Sequence, residues 1–454
     1  FMFTYGAVID QNMMVNVFET NSQEAAALVT PQLVVWLVVA GLLPASLLAM
    51  IRIRPGKWWH TLLIRLAAML ASAVVIVLVA AVFYKDYASL FRNNKGIVKM
   101  VTPANYVSAI AKYSKARWFA GDQTLIRLGE DARKGPVLLA QQKKTVLVLV
   151  VGEASRAENY SLNGYDRETN PELKKQNVIN FPQASSCGTE TAVSVPCMFS
   201  GMPRKKYDAD LAHHQEGLMD VLGHAGVNLL WRDNDGGCKG ACNRIPHTDM
   251  TQWKLQQFCK DNSCIDDVNL WRLDDMLDGV KQDTVLVIHL MGSHGPAYYQ
   301  RYPAQYRHFT PTCDTNEIQD CTHQALMNTY DNTILYTDSV VSKTIDALKA
   351  RQSTLNTALV YLSDHGESLG ENGLYLHGTP YMLAPEQQTH IPFIFWLSKD
   401  YQQNFGVDAQ CLRDQAAKEA VSQDNLFSTV LGMMNIRTAV YQPQMDLLTH
   451  CRRT

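Results

Sequence analysis

Charged side chains are absent from two stretches of the chain, residues 33–51 and residues 66–83. Each is close to the roughly 20 apolar residues that a helix needs to cross a bilayer, and each is predicted to span one; a buried core helix is the alternative. Pro44 interrupts the first, which lipid tolerates where neighbouring groups take up the freed carbonyl. Between the two lies Arg52-Ile53-Arg54-Pro55-Gly56-Lys57-Trp58-Trp59-His60, with Arg65 just beyond. A short basic loop with interfacial tryptophans belongs in the cytoplasm, so both flanks face the periplasm.

The pattern then changes twice. Residues 85–144 mix aromatic and basic side chains (Tyr87, Phe91, Arg92, Tyr106, Tyr113, Lys115, Trp118) with modest helical periodicity, which predicts interfacial helices and a linker. After Lys143-Lys144, short apolar runs alternate with helix-like stretches, and Thr145 to Val151, Thr284 to Leu290 and Thr357 to Leu362 read as buried parallel strands. Such alternation predicts an α/β domain with a mostly parallel sheet. The chain therefore divides into a helical membrane domain (1–84), a linker region (85–144) and a periplasmic domain (145–454).

Composition sharpens the compartment. A net charge of −2 and a pI near 6.7 leave no electrostatic footprint for a nucleic acid. All ten cysteines follow residue 180, in four close couples and one distant couple. The spacings fit no zinc ribbon, so they read as five disulfides: Cys187–Cys197, Cys238–Cys242, Cys259–Cys264, Cys313–Cys321 and Cys411–Cys451. Disulfides persist outside the cytosol, which agrees with the orientation taken from the basic loop.

Each predicted strand runs into polar side chains: Glu153 after the first, Ser293 and His294 after the second, Asp364, His365 and Glu367 after the third. Ligands of open α/β sheets bind at the carboxyl ends of strands, so these groups can converge. Glu153, Asp364 and His365 offer the oxygen and nitrogen donors that suit zinc. Singly, each has a structural reading as a cap, a turn residue or a core histidine. Thr189, in Cys187-Gly188-Thr189-Glu190-Thr191, precedes a helix-like stretch. It reads equally as a helix cap and as an alcohol made nucleophilic by a metal.

Together the motifs Val151-Gly152-Glu153-Ala154-Ser155-Arg156, Leu162-Asn163-Gly164-Tyr165, Cys187-Gly188-Thr189-Glu190-Thr191, Ser363-Asp364-His365-Gly366-Glu367 and Leu376-His377-Gly378-Thr379-Pro380 resemble those of the lipid A phosphoethanolamine transferases. That family includes the mobile colistin-resistance enzymes, and the resemblance extends along essentially the whole chain. It implies an alkaline-phosphatase/sulfatase-like catalytic domain behind a five-helix membrane domain, of which only two full spans stand here. Residues 1 to about 10 then read as the end of a further helix, and a chain opening at Phe1 reads as a piece lacking its upstream part.

The resemblance also implies roles. Zn2+ is held by residues matching Glu153, Thr189, Asp364 and His365, and Thr189 carries phosphoethanolamine covalently. His294 and His377 lie near the phosphate or a second zinc, and Lys239 lies near the substrate. Asn16, Thr20 and Glu24 share one helical face, where the family contacts the headgroup of phosphatidylethanolamine; a solvated face is the alternative. The implied donor is phosphatidylethanolamine, the acceptor is lipid A, the outcome is resistance to polymyxin, and the expected state is a monomer in the inner membrane. Transfer to core sugars or glucans, a phosphodiesterase and an inactive scaffold are the competing readings. A sulfatase needs Cys-x-Pro-x-Arg, which neither Cys187 nor Cys197 begins.

Overall fold

The computed structural model describes residues 13–14, 17–18, 28–51, 57–83, 102–118, 124–260 and 263–453. Two helices, α1 (Pro31–Met50, 20 residues) and α2 (Trp58–Val82, 25 residues), carry an apolar surface that stays uncovered among the described residues. Leu48 and Ile76 remain 68% and 67% exposed. An uncovered apolar surface of this extent is foreign to a monomer in water, and at about 1.5 Å per residue each helix matches the thickness of a bilayer's hydrocarbon core.

Helix α1 starts where Thr30 accepts the Leu33 amide and Pro31 occupies the first turn, a position that needs no N–H. Immediately before Pro44 the backbone widens into a π-helical turn over Leu37–Leu42, with the Leu43 amide reaching back to Val38. The wider turn relieves the clash between a proline ring and the carbonyl four residues earlier. Helix α2 begins at Trp58 and not at Leu66, because Leu62, Leu63 and Ile64 carry the apolar surface back through the basic loop. Helix α3 (Ala104–Trp118) is the longer described helix of the linker region, and its Tyr113 stacks on Phe18 at 4.8 Å between ring centroids.

Seven strands form the catalytic sheet: β1 (Lys144–Gly152), β2 (Ile179–Asn180), β3 (Asn228–Asp233), β4 (His247–Asp249), β5 (Thr284–His289), β6 (Leu355–Ser363) and β7 (Phe393–Leu397). Their spatial order is β2-β7-β6-β1-β5-β3-β4. The five strands from β6 to β4 are parallel, while β7 and β2 close one edge in antiparallel pairings. Alternation explains why the central strands read as unbroken apolar runs. Val146, Val148 and Val150 face one core and Leu147, Leu149 and Val151 the other, so both faces are buried. On one face lie α4 (Thr191–Ser200) and α6 (Leu426–Met433), which contribute Val195, Phe199, Val430 and Leu431. Against the other packs α5 (His323–Lys349), through Leu326, Tyr330, Ile334, Val341 and Ile345 at helical spacing.

The ten cysteines form five bridges, Cys187–Cys197, Cys238–Cys242, Cys259–Cys264, Cys313–Cys321 and Cys411–Cys451. At its start α1 meets the domain built on this sheet, where the Gln32 amide donates to Glu317 Oε1 at 3.4 Å.

Candidate active site

Register places the chemistry. In the parallel ladder Ser363 pairs with Gly152, Val151 with His289, and His289 with Asp233. Four strands therefore end in one row, and Glu153 and Asp364 leave the sheet side by side. Backbone crowding tightens this corner. Gly292, at φ +50°, passes so close to Glu153 that an added Cβ would lie 2.6 Å from the Glu153 carbonyl oxygen. Ala154 is itself held at φ +53°, a strained position for a residue with a Cβ. In this conformation its N–H donates to Asp364 Oδ1 at 3.1 Å and its carbonyl accepts the Tyr330 hydroxyl at 2.6 Å.

The hydrogen bonds leave a particular set of atoms over. Asp364 Oδ1 accepts two amides, those of Ala154 and His365, whereas Oδ2 has no hydrogen-bond partner among the described residues. Glu153 Oε2 accepts the Thr191 hydroxyl at 3.0 Å, and Oε1 has no hydrogen-bond partner among the described residues. His365 Nδ1–H donates to the Gly366 carbonyl at 2.8 Å, which fixes the tautomer with an Nε2 lone pair. That Nε2 lies 3.4 Å from Glu153 Oε1 and 3.3 Å from Asp364 Oδ2. Two buried carboxylate oxygens with no hydrogen-bond partner among the described residues thus converge with an imidazole nitrogen whose hydrogen-bond contact is the Thr191 hydroxyl at 3.4 Å, the donor set of a divalent metal. Burial holds Glu153 well above the usual carboxylate range, and the Asp364 and Asp235 carboxylates push it further. Burial likewise holds His365 down to about 4, in its neutral, ligating form.

Around this centre lie two further groups. His377 stands over His365 at 4.4 Å between ring centroids and over His294 at 5.6 Å. Its ligand atom and those of Glu153 and His365 lie within 4.8 Å of one another. Buried Glu367 sits 3.3 Å from His377 Nδ1, and this carboxylate raises the His377 pKa against the effect of burial. On the other side, Glu153, Asp235 and His289 form a second cluster. Burial opposes the His289 imidazolium, yet Asp233 and Asp235 hold its pKa up to about 9.

Residues 145–436 match the sulfatase family, and residues 1–118 match the phosphoethanolamine transferase EptA/EptB family. The phosphoethanolamine transferase EptA of Salmonella typhimurium is 52% identical over 458 residues, covering 100% of this chain and 83% of the relative. The chain belongs to the EptA family of phosphoethanolamine transferases, with a catalytic domain of the sulfatase family. A solved integral membrane relative, the lipooligosaccharide phosphoethanolamine transferase A (EptA) of Neisseria meningitidis, superposes with a TM-score of 0.93 at 43% identity, over 100% of this chain and 84% of that one. The periplasmic domain of Escherichia coli EptC, solved in complex with zinc, shares the fold at a TM-score of 0.57 and 23% identity, over 73% of this chain and 91% of that one. This EptA-family chain is thus an integral membrane transferase with a periplasmic catalytic domain, and α1 and α2 are long and apolar enough to cross a membrane.

Within the transferase, Glu153, Asp364 and His365 meet as their strand-end positions predict. Thr189 is buried on the adjoining loop; its hydroxyl donates to the Thr379 carbonyl at 2.7 Å, and its own carbonyl accepts the Gly378 amide. The hydroxyl that reaches Glu153 and His365 belongs to Thr191, which sequence reasoning did not single out. Lys239 lies in the loop after β3, beside the Cys238–Cys242 bridge, and among the described residues it contacts none of Glu153, Asp364, His365 and His377. Asn16, Thr20 and Glu24 lie outside the described residues. Asp235 and His289 were also missed, although Asp235 follows the end of β3 as Glu153 follows the end of β1. The cysteines that a sulfatase reading would need, Cys187 and Cys197, are bonded to each other.

Proposed function

We propose that the transferase moves phosphoethanolamine from phosphatidylethanolamine to a phosphate of lipid A through a covalent phosphoethanolamine-threonine, with Thr189 as nucleophile and zinc held by Glu153, Thr189, Asp364 and His365. The observation that carries the metal assignment is the pair of buried, partnerless oxygens, Glu153 Oε1 and Asp364 Oδ2, within 3.4 Å of His365 Nε2. A bound zinc lowers the pKa of an alcohol ligand and offsets charge on the transferring group. The chain supplies the rest. Thr379 and Gly378 hold the Thr189 segment, Gly366 fixes the His365 tautomer, and His377, backed by Glu367, stands where it can donate a proton to a phosphate oxygen. His294 stands beside His377, in reach of the same phosphate or a second zinc. An ethanolamine ammonium added to lipid A offsets negative charge, which weakens the binding of cationic polymyxins.

Thr191 provides a second reading of the nucleophile, favoured by its contacts of 3.0 Å with Glu153 and 3.4 Å with His365. Thr189 is preferred because the Cys187-Gly188-Thr189 motif matches the threonine that carries the intermediate in the family. Fragment-ion mapping of donor-treated enzyme decides between them. The adduct is expected on Thr189 and absent from Thr189→Ala; an adduct on Thr191, or one retained by Thr189→Ala, overturns the assignment.

A further inference from the structure

We propose that Met382 and Leu383, with Lys205 and Lys206 beside them, are the contact through which the catalytic domain rests on an anionic lipid surface. The proposal builds on the lipid acceptor proposed above and adds where the domain touches the bilayer. Met382 is 84% exposed and Leu383 54%, two adjacent large apolar side chains at the surface. They directly follow a segment fastened to the nucleophile loop. The Thr379 carbonyl accepts the Thr189 hydroxyl, the Gly378 amide donates to the Thr189 carbonyl, and the Tyr381 hydroxyl donates to the Ser186 carbonyl at 2.9 Å. An element so anchored fixes the place of the Thr189 loop relative to any surface that it engages.

Charge and position select the occupant. The Arg204 guanidinium lies 4.0 Å above the Tyr381 ring, which brings the start of Arg204-Lys205-Lys206 against the apolar pair's own segment. Lys205 and Lys206 are exposed, and neither makes an ion pair among the described residues. Apolar side chains next to unpaired basic ones match a bilayer boundary carrying phosphate headgroups. The membrane domain reaches the same segment: Met13 Cε lies 3.0 Å from where a Cβ on Gly378 would stand. The apolar pair is thus on the side of the catalytic domain that meets the membrane-embedded part.

The ten cysteines are all paired, so Met382→Cys introduces a single reactive thiol. The full chain carrying an environment-sensitive fluorophore there is reconstituted into bilayers of anionic phospholipid doped with acyl-chain nitroxide lipid. Blue-shifted, nitroxide-quenched emission is expected, weakening in zwitterionic bilayers. In parallel, Lys205→Gln with Lys206→Gln is expected to raise the KM for a bilayer-embedded acceptor roughly thirtyfold, the loss for two basic side chains leaving an anionic surface. Turnover of a water-soluble phosphodiester stays unchanged. Water-like, unquenched emission with an unaltered KM overturns the contact. Quenching needs no turnover, so quenched emission from labelled Met382→Cys together with wild-type enzyme that fails to modify lipid A sinks the acceptor assignment alone.

Discussion

Thr191 shows how one hydroxyl organises the centre without being a proposed ligand. It donates to Glu153 Oε2 at 3.0 Å and thereby leaves Oε1 turned toward His365. Removing a partner that orients a ligand typically costs 10–100-fold in metal affinity. Thr191→Val keeps the volume and deletes the donor, so zinc affinity measured by competition with a chromophoric chelator is expected to fall about 10–100-fold while the fold is retained. An unchanged affinity means that Thr191 does not position Glu153. Asp364→Asn acts more directly, because an amide replaces one of the two partnerless carboxylate oxygens, and zinc content by elemental analysis is expected to drop to background along with transfer. Zinc retained at the wild-type level removes Asp364 from the proposed site.

Elements deliver these residues, and the same elements decide what was readable beforehand. Strands β1, β5 and β6 announce themselves because parallel strands covered on both faces need apolar side chains at every position. Their carboxyl ends then point to Glu153, Asp364 and His365. His289 stayed hidden because it is the last residue inside β5, where a histidine looks like packing. The antiparallel direction of β7 was not legible either, since the run Phe393–Leu397 reports burial and not orientation. That Thr191 and not Thr189 faces Glu153 depends on how α4 is rotated against the sheet, which no local pattern encodes. Helix α5 carries a testable consequence of its own. Its buried Asp338 accepts the amides of Glu172 and Leu173, and burial pushes the carboxyl up to about 7 from an ordinary 3.8. The folded state therefore binds a proton that the unfolded chain has released. Stability from this group is full below 3.8 and is lost as pH rises to about 7, with a slope of at most about 1.4 kcal/mol per pH unit. Urea midpoints of the wild type are expected to fall across that window and those of Asp338→Asn to fall less; identical slopes exclude Asp338 as the source.

At the scale of the whole molecule, the periplasmic domain is tied by covalent bridges whose effects differ with the chain they enclose. Cys238–Cys242, Cys259–Cys264 and Cys313–Cys321 close loops with separations of 4, 5 and 8 residues, whereas Cys411–Cys451 spans 40. A cross-link stabilises chiefly by removing freedom from the unfolded chain, and this grows with the logarithm of the loop. The long bridge joins the segment before α6 to the end of the described chain, with α6 and the antiparallel bridge between Val407 and Arg452 enclosed or adjacent. Cys411→Ser with Cys451→Ser is accordingly expected to lower unfolding stability by roughly 3–4 kcal/mol, read as a lower urea midpoint with a steeper slope, because the uncrosslinked unfolded chain exposes more surface. The active-site row lies at the carboxyl ends of β1, β6, β5 and β3, and Gln423 inside the bridged loop donates to the Ser363 and Asp364 carbonyls at 2.8 and 2.6 Å; these contacts belong to the folded state with or without the bridge, so zinc content and specific activity of the folded variant should match the wild type. Loss of zinc at denaturant concentrations where the variant is still folded would instead mean that the bridge is needed to keep Gln423 against the Asp364 carbonyl.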